Sequence, residues 1–347
     1  MTVSRLTRLK SNKFKAVRLN VNSYPVLPFE KDELAKVGAE LVCIEGSSSN
    51  EIVTVAYDAD ALFVVSAKVR KEVVDKLQKC RIIARMGTGI DNIDVDSATS
   101  MGIIVTNVPD FCISEMADHA MALLLSVARK IVILDKRTRN CEWEARVREH
   151  LKRINGKSLG LIGFGHIARE VALRAKPFGL SVFAYDPYVV KKVFNEYGVK
   201  EESLTYIIEN CDFISLHIPL TKETHHLIGE KEFRSMKRSA VLINTARGAV
   251  VDEDALIRAL SEGWVAGAGI DVYEKINVFD ESEKKVDSPL FVLENVVLTP
   301  HAGGCSDEAL EEVKKKAVNE VIRVLSGKWP KNCVNPTVIP RAPLTEL

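Results

Sequence analysis

The run L-G-L-I-G-F-G-H-I-A, residues 159 to 168, decides the fold. An apolar strand ends where a glycine-rich turn opens a helix. Gly163 permits the tight turn, Gly165 lets the main chain approach a pyrophosphate, and Ala168 is small enough for the helix to pack on the strand. The helix N-terminus then faces the pyrophosphate of a dinucleotide. An amphipathic stretch follows to Lys176, a second apolar run spans Leu180 to Tyr185, and Asp186 stands where a ribose-binding acid belongs. A bare G-x-G-x-x-A is weak evidence, but strand, helix, second strand and acid at this spacing specify a dinucleotide site. A carboxylate at Asp186 repels the 2′-phosphate of NADP, and Pro187 to Val190 offer no arginine to receive it, so NAD is the expected cofactor.

The same alternation extends both ways. Apolar runs at Ala16 to Val21, Leu41 to Ile44, Ala61 to Val65, Arg81 to Ala84 and Ile103 to Val105 are separated by helical patterns, and a second block runs from Ser158 to about Leu298. Such alternation predicts α/β architecture with two doubly wound parallel-sheet domains, Rossmann-like and flavodoxin-like, and a cleft between them. Gly163, Asp186, Arg247, Asp271 and His301 each follow an apolar run, and the carboxyl ends of parallel strands face one crevice. Residues 109–301 form a complete NAD-binding block, so residues 1–108 plus 302–347 are expected to make the substrate domain, with hinge crossings near 106 to 110 and 301 to 310. Ser114 to Asn140 reads as one long helix capped by Ser114, and Asp307 to Leu325 as another. The first carries Met121, Leu124, Leu125, Ala128, Ile131 and Val132, more apolar surface than one sheet face needs, which predicts a homodimer.

At 347 residues with 46% apolar content the chain suits two cores, and 48 basic against 47 acidic residues give no field for nucleic acid or an anionic membrane. The most apolar stretch, Met116 to Leu134, contains Asp118, His119, Arg129 and Lys130 and cannot span a bilayer. Seven cysteines without a C-x-x-C pair indicate free thiols, and Cys305, although close to His301, is separated from it by Ala302, Gly303 and Gly304 and is not read as a nucleophile. The first fifteen residues, basic and without an apolar core, read as a frayed arm rather than a secretory signal. A cytoplasmic protein is expected. No histidine pair shows metal-ligand spacing, His225 and His226 read as structural or exposed, and no metal is expected.

With I-S-L-H-I-P-L-T at 214 to 221, I-N-T-A-R-G-A-V-V-D at 243 to 252, A-G-A-G-I-D-V-Y at 266 to 273 and L-T-P-H-A-G-G at 298 to 304, the chain resembles the NAD-dependent D-isomer-specific 2-hydroxyacid dehydrogenases over about residues 60 to 336. R-I-I-A-R-M-G-T-G-I-D-N-I-D, residues 81 to 94, is similar to that family's substrate loop, especially in the branch containing the C-terminal-binding-protein corepressors. The resemblance implies interconversion of a small 2-oxo acid and its D-2-hydroxy acid. It implies Arg247, His301 and Asp271 as the catalytic set, and Gly163, Gly165, His166, Ile167, Asp186, His217, Thr245 and Asp271 around the cofactor. Met86, Gly87, Thr88 and Gly89 would cradle the substrate carboxylate with their amides.

The chemistry needs these residue types. An arginine fork matches carboxylate and carbonyl oxygens and stays charged when desolvated, and imidazole serves as acid in reduction and base in oxidation. Ser66 and Lys68 stand where they would meet a polar or anionic substrate tail, although a solvated lysine is the preferred reading. One position departs from the family: five residues after Asp271 the glutamate that partners the catalytic histidine is replaced by Ile276, while Glu274, Asp280, Glu281 and Glu283 lie out of register. Either another acid substitutes or the activity is altered. That leaves two further readings, an NAD(H)-sensing binding protein with decayed catalysis and a hydride donor such as formate as substrate.

Overall fold

Runs of valine, isoleucine and leucine with few polar interruptions form parallel strands here because helices cover both faces of each sheet. A computed structural model describes residues 13–22, 24–46, 48–143, 151–276, 278 and 287–345. They divide into two compact units, one of residues up to 111 together with those from 307 onward, the other of 112–306.

In the first unit β1 (Phe14–Arg18), β2 (Ala39–Cys43), β3 (Ala61–Val64), β4 (Ile82–Arg85) and β5 (Ile104–Thr106) form a parallel sheet in the order β2-β1-β3-β4-β5. Successive residues feed opposite cores: Ile82 and Ala84 face one, Ile83 the other. The first core is closed by the helix Asp307–Leu325, which buries Val313, Ala317, Val321 and Val324. At about 1.5 to 3 kcal/mol for each fully buried valine, this C-terminal helix is a large part of the unit's stability.

In the second unit β6 (Ser158–Ile162), β7 (Ser181–Tyr185), β8 (Lys200–Glu201), β9 (Phe213–Leu216), β10 (Val241–Asn244), β11 (Gly267–Ile270) and β12 (Val296–Leu298) form a parallel sheet ordered β12-β11-β10-β9-β6-β7-β8. The chain winds one way from β6 to β8, returns to place β9 beside β6, and winds the other way. The crevice between β6 and β9 is therefore the topological switch point.

Four expectations change. The stretch 114 to 140 is two helices, Ile113–Ala128 and Ile131–Arg139, separated at Lys130 with φ 53°. The first buries Ala117, Ala120, Met121, Leu123, Leu124 and Ala128 on the sheet, whereas the second buries nothing, so the chain has no apolar seam to follow past Ala128. Cys112, not Ser114, is the N-cap residue; the Ser114 hydroxyl accepts from Arg174 at 2.8 Å. With Met121, Leu124 and Ala128 buried and Leu125 partly buried against the same core, the exposed apolar surface that pointed to a dimer shrinks to Ile131 and Val132, 54% and 53% exposed. Finally, Lys15 belongs to β1 and pairs with Asp58 at 2.7 Å, so it is no part of a frayed arm, while residues 1–12 lie outside the described residues. Among the described residues no helix is long and apolar enough to cross a membrane. All seven cysteines are free thiols.

Candidate active site

Gly163 stands just past β6 with φ 90°, and a Cβ there would lie 2.4 Å from the His217 carbonyl oxygen. Only glycine fits, because the turn and the strand β9 behind it close on each other. Gly165, by contrast, has nothing within 4 Å of the Cβ it lacks. It is the N-cap of the helix His166–Ala175 without a side-chain cap, so the amides of the first turn face open space. Asp186 follows β7 and holds the turn in place: its Oδ2 accepts from the Phe164 amide at 2.8 Å and its Oδ1 from the Tyr188 amide at 2.9 Å. Each oxygen retains a lone pair for a hydroxyl donor. His217 follows β9, its Nε2 lies 2.9 Å from the Ser215 hydroxyl, and burial drives its imidazole down to about 4, so it is neutral near pH 7.

Past β10 the chain turns on Asn244, a buried side chain whose Oδ1 accepts from the Ala246 amide at 3.0 Å and whose Nδ2 donates to the Arg247 carbonyl at 3.0 Å. Sequence reading missed this residue, although an asparagine at a strand end is a recognised turn former. Thr245, within the turn, is 2% exposed and its hydroxyl has no hydrogen-bond partner among the described residues. An unpaired buried hydroxyl costs about 1 to 3 kcal/mol, so it marks a place where a ligand belongs. Gly248 is required here for another reason: a Cβ would lie 2.0 Å from the Tyr273 carbonyl, which locks the turn of Arg247 onto the segment after β11.

Asp271 and His301 are one construction. His301 adopts φ 56°, a left-handed conformation that costs a side-chain-bearing residue about 1 kcal/mol or more, and its amide donates to the Asp271 carbonyl at 2.8 Å. The Asp271 carboxylate, 1% exposed, accepts from the Thr299 hydroxyl at 2.6 Å, the Ala302 amide at 2.8 Å and the Gly303 amide at 2.9 Å. Burial alone would raise its pKa, but these donors and His119 outweigh burial and hold the carboxyl below the usual range. His119 reaches Thr299 Oγ1 at 2.9 Å and Asp271 Oδ1 at 3.4 Å. The Tyr273 hydroxyl donates to the Thr299 carbonyl at 3.0 Å. Sequence reading gave His119, Thr299 and Tyr273 no role, because contacts across 26 or more positions leave no local pattern, even though Thr299 and Tyr273 lie within the quoted motifs.

The nearest acid in sequence to Ile276, Glu274, directs Oε1 to His226 Nε2 at 2.6 Å and Oε2 to the Glu253 amide at 3.3 Å. Asp280, Glu281 and Glu283 lie outside the described residues. Cys305 is no nucleophile, since desolvation and then the Asp271 charge push its thiol up, opposite to activation. In the first unit the expected cradle narrows. The Met86 amide donates to the Val64 carbonyl at 2.8 Å and the Gly87 amide to the Arg85 carbonyl at 3.0 Å, which leaves Thr88 and Gly89 as its donors. The loop is pinned by Thr88 Oγ1 on the Val108 carbonyl at 3.1 Å and by Arg85 Nε on the Gly89 carbonyl at 2.9 Å.

Residues 121–303 match the model of the D-isomer specific 2-hydroxyacid dehydrogenase, NAD binding domain. A glyoxylate reductase of Thermococcus litoralis is 44% identical over 293 residues, covering 82% of this chain and 86% of that protein. Among solved structures, D-lactate dehydrogenase from Aquifex aeolicus complexed with NAD and lactic acid matches with TM-score 0.81 at 30% identity, over 90% of this chain and 96% of that one. An acyclic imino acid reductase in complex with NADPH and D-Arg matches with TM-score 0.82 at 28% identity, over 92% and 99%. The open helix start at Gly165, the acid at Asp186 and the unpaired Thr245 hydroxyl fit NAD as the cofactor of this domain. The chain belongs to the D-isomer-specific 2-hydroxyacid dehydrogenase family.

Proposed function

We propose that the protein is an NAD-dependent reductase of a small 2-oxo acid, with glyoxylate the first substrate to test. The observation that carries the reading is the buried, unpaired Thr245 hydroxyl two residues before Arg247, in a turn shaped by Asn244 and Gly248. Bound NADH supplies the hydride. The amides of Gly165, His166 and Ile167 receive the pyrophosphate at the turn made by Gly163, Asp186 accepts from the ribose hydroxyls, and Thr245 and His217 serve the nicotinamide half. Within the second unit Arg247 holds carboxylate and carbonyl oxygens with its planar fork, and within the first unit Thr88 and Gly89 keep amides for a substrate carboxylate. His301 gives its proton to the carbonyl oxygen during reduction and takes it back during oxidation. Asp271 is a positioning residue, because its oxygens are engaged by the loop that carries His301. Residues 1–108 plus 302–347 serve as the substrate domain and 109–301 as the NAD domain. Ile131 and Val132 mark a candidate homodimer contact, which light scattering at micromolar concentration tests.

A panel of 2-oxo acids with NADH tests the reading, glyoxylate being expected to turn over because the relative from Thermococcus litoralis is a glyoxylate reductase. His301→Ala should chiefly lower kcat, by about 10²- to 10⁴-fold, and Arg247→Ala should raise KM and lower kcat together. A second reading, an NAD(H)-sensing binding protein, rests on Ile276 in the glutamate position. Tight NADH binding without turnover on any oxo acid would favour it.

A further inference from the structure

His225, His226 and Glu274 place their ligand atoms within 4.8 Å of one another. The two imidazole rings lie 4.0 Å apart at 30°, and His226 adopts φ 51°. A hydrogen bond between His226 and Glu274 accounts for that pair. It does not account for His225, which is exposed and still lies against the His226 ring. The two anchors of the cluster grip one turn: the His226 amide donates to the Ala249 carbonyl at 2.8 Å, and the Glu274 backbone abuts Gly248.

We propose that His225, His226 and Glu274 bind a divalent transition-metal ion of the zinc type, and that the ion braces the turn that follows Arg247. Two imidazole nitrogens and one carboxylate oxygen form a donor set that favours zinc, copper or nickel over magnesium or calcium, with water completing the coordination. Bonds of about 2.0 to 2.2 Å put tetrahedral ligands about 3.4 Å apart, so the triplet needs only a small side-chain adjustment. The exposed imidazoles have room for it. The ion replaces the His226–Glu274 hydrogen bond with metal bonds across the same two segments. Nothing in this site depends on the reductase reading, and its test needs no turnover.

The experiment titrates metal-free full-length protein with Zn²⁺, and with Co²⁺ for its visible spectrum. One ion per chain is expected at this site, with affinity falling about tenfold or more in His225→Ala and in Glu274→Gln, since each substitution removes one of three protein ligands. Saturating Zn²⁺ should raise the thermal midpoint by a few degrees, because it binds the folded state alone, and the rise should vanish in His225→Ala. The exposed position of His225 should leave the metal-free midpoint of that variant unchanged. Binding that survives both substitutions unaltered, or zinc binding without a midpoint shift, would overturn the proposal.

Discussion

The two sheets share a winding rule and use it in opposite ways. In the seven-stranded sheet the switch point lies between β6 and β9, and there Gly163 and Gly165 leave open space before an uncapped helix. In the five-stranded sheet the switch point lies between β1 and β3, and the protein fills it with its own atoms. Asn20, just past β1 with φ 61°, accepts with Oδ1 from the amides of Ser66 and Ala67 at 3.0 Å each and of Val65 at 3.4 Å. Asn92 closes the same loop by donating to the carbonyls of Val65 and Ala67 at 3.2 and 2.9 Å. One crevice thus offers backbone amides to a ligand and the other satisfies them internally. Fold alone does not make a cofactor site; the residue at the strand end does.

Gly163→Ala is the hardest blow to the open crevice. A Cβ at φ 90° and 2.4 Å from the His217 carbonyl should cost about 4 kcal/mol or more and abolish NADH binding. Gly165→Ala makes the control, since its Cβ meets nothing within 4 Å: urea unfolding should barely change while NADH affinity falls. If both variants lose stability equally, the space at Gly165 is not a ligand's place.

Asn20→Ala should open the closed crevice. Losing the acceptor for three amides is expected to cost about 3 kcal/mol in chemical unfolding, with the NADH dissociation constant unchanged within about twofold. A loss of NADH affinity without a loss of stability would break the contrast between the sheets.

The effect of pH should be asymmetric too, because His217 borders only the open switch point. Its imidazole titrates at about 4 in the fold against 6.5 when free, so the unfolded chain takes up a proton first as pH falls. The stability due to neutral His217 is complete above about pH 6.5 and is lost as pH falls through the window down to about 4. Between pH 7 and 5 it should amount to about 2 kcal/mol. Unfolding curves at the two pH values should differ less in His217→Gln, and an unchanged pH dependence in that variant would assign the loss to other groups.

The smallest expected effect concerns selectivity within the open crevice. Asp186 should favour NADH over NADPH by at least about tenfold in kcat/KM, about 1.4 kcal/mol. Equal use of both cofactors would leave the crevice open but remove the selective role of its acid.

Much of the open crevice was legible because its features are local. A glycine-rich turn between strand and helix, and an acid after the next strand, are fixed by spacing along the chain, as were the two parallel sheets and the helix Asp307–Leu325. The break at Lys130 was not, since V-A-R-K-I-V contains neither glycine nor proline and the apolar period runs through it. What ends the helix is the loss of a burying partner after Ala128, which only the folded core supplies.

The sequence by itself determined the parallel sheets and the dinucleotide turn, because residue type and spacing encode local geometry. Tertiary structure alone decided which groups remain available. Met86 and Gly87 have their amides engaged, Glu274 turns to His226, and Asp271 gives its oxygens to the loop of His301. It also decided that His225, His226 and Glu274 meet. Hydrogen-bond capacity is limited for each atom, and its use is settled by whatever the fold brings within about 3 Å, a distance that carries no memory of separation along the chain.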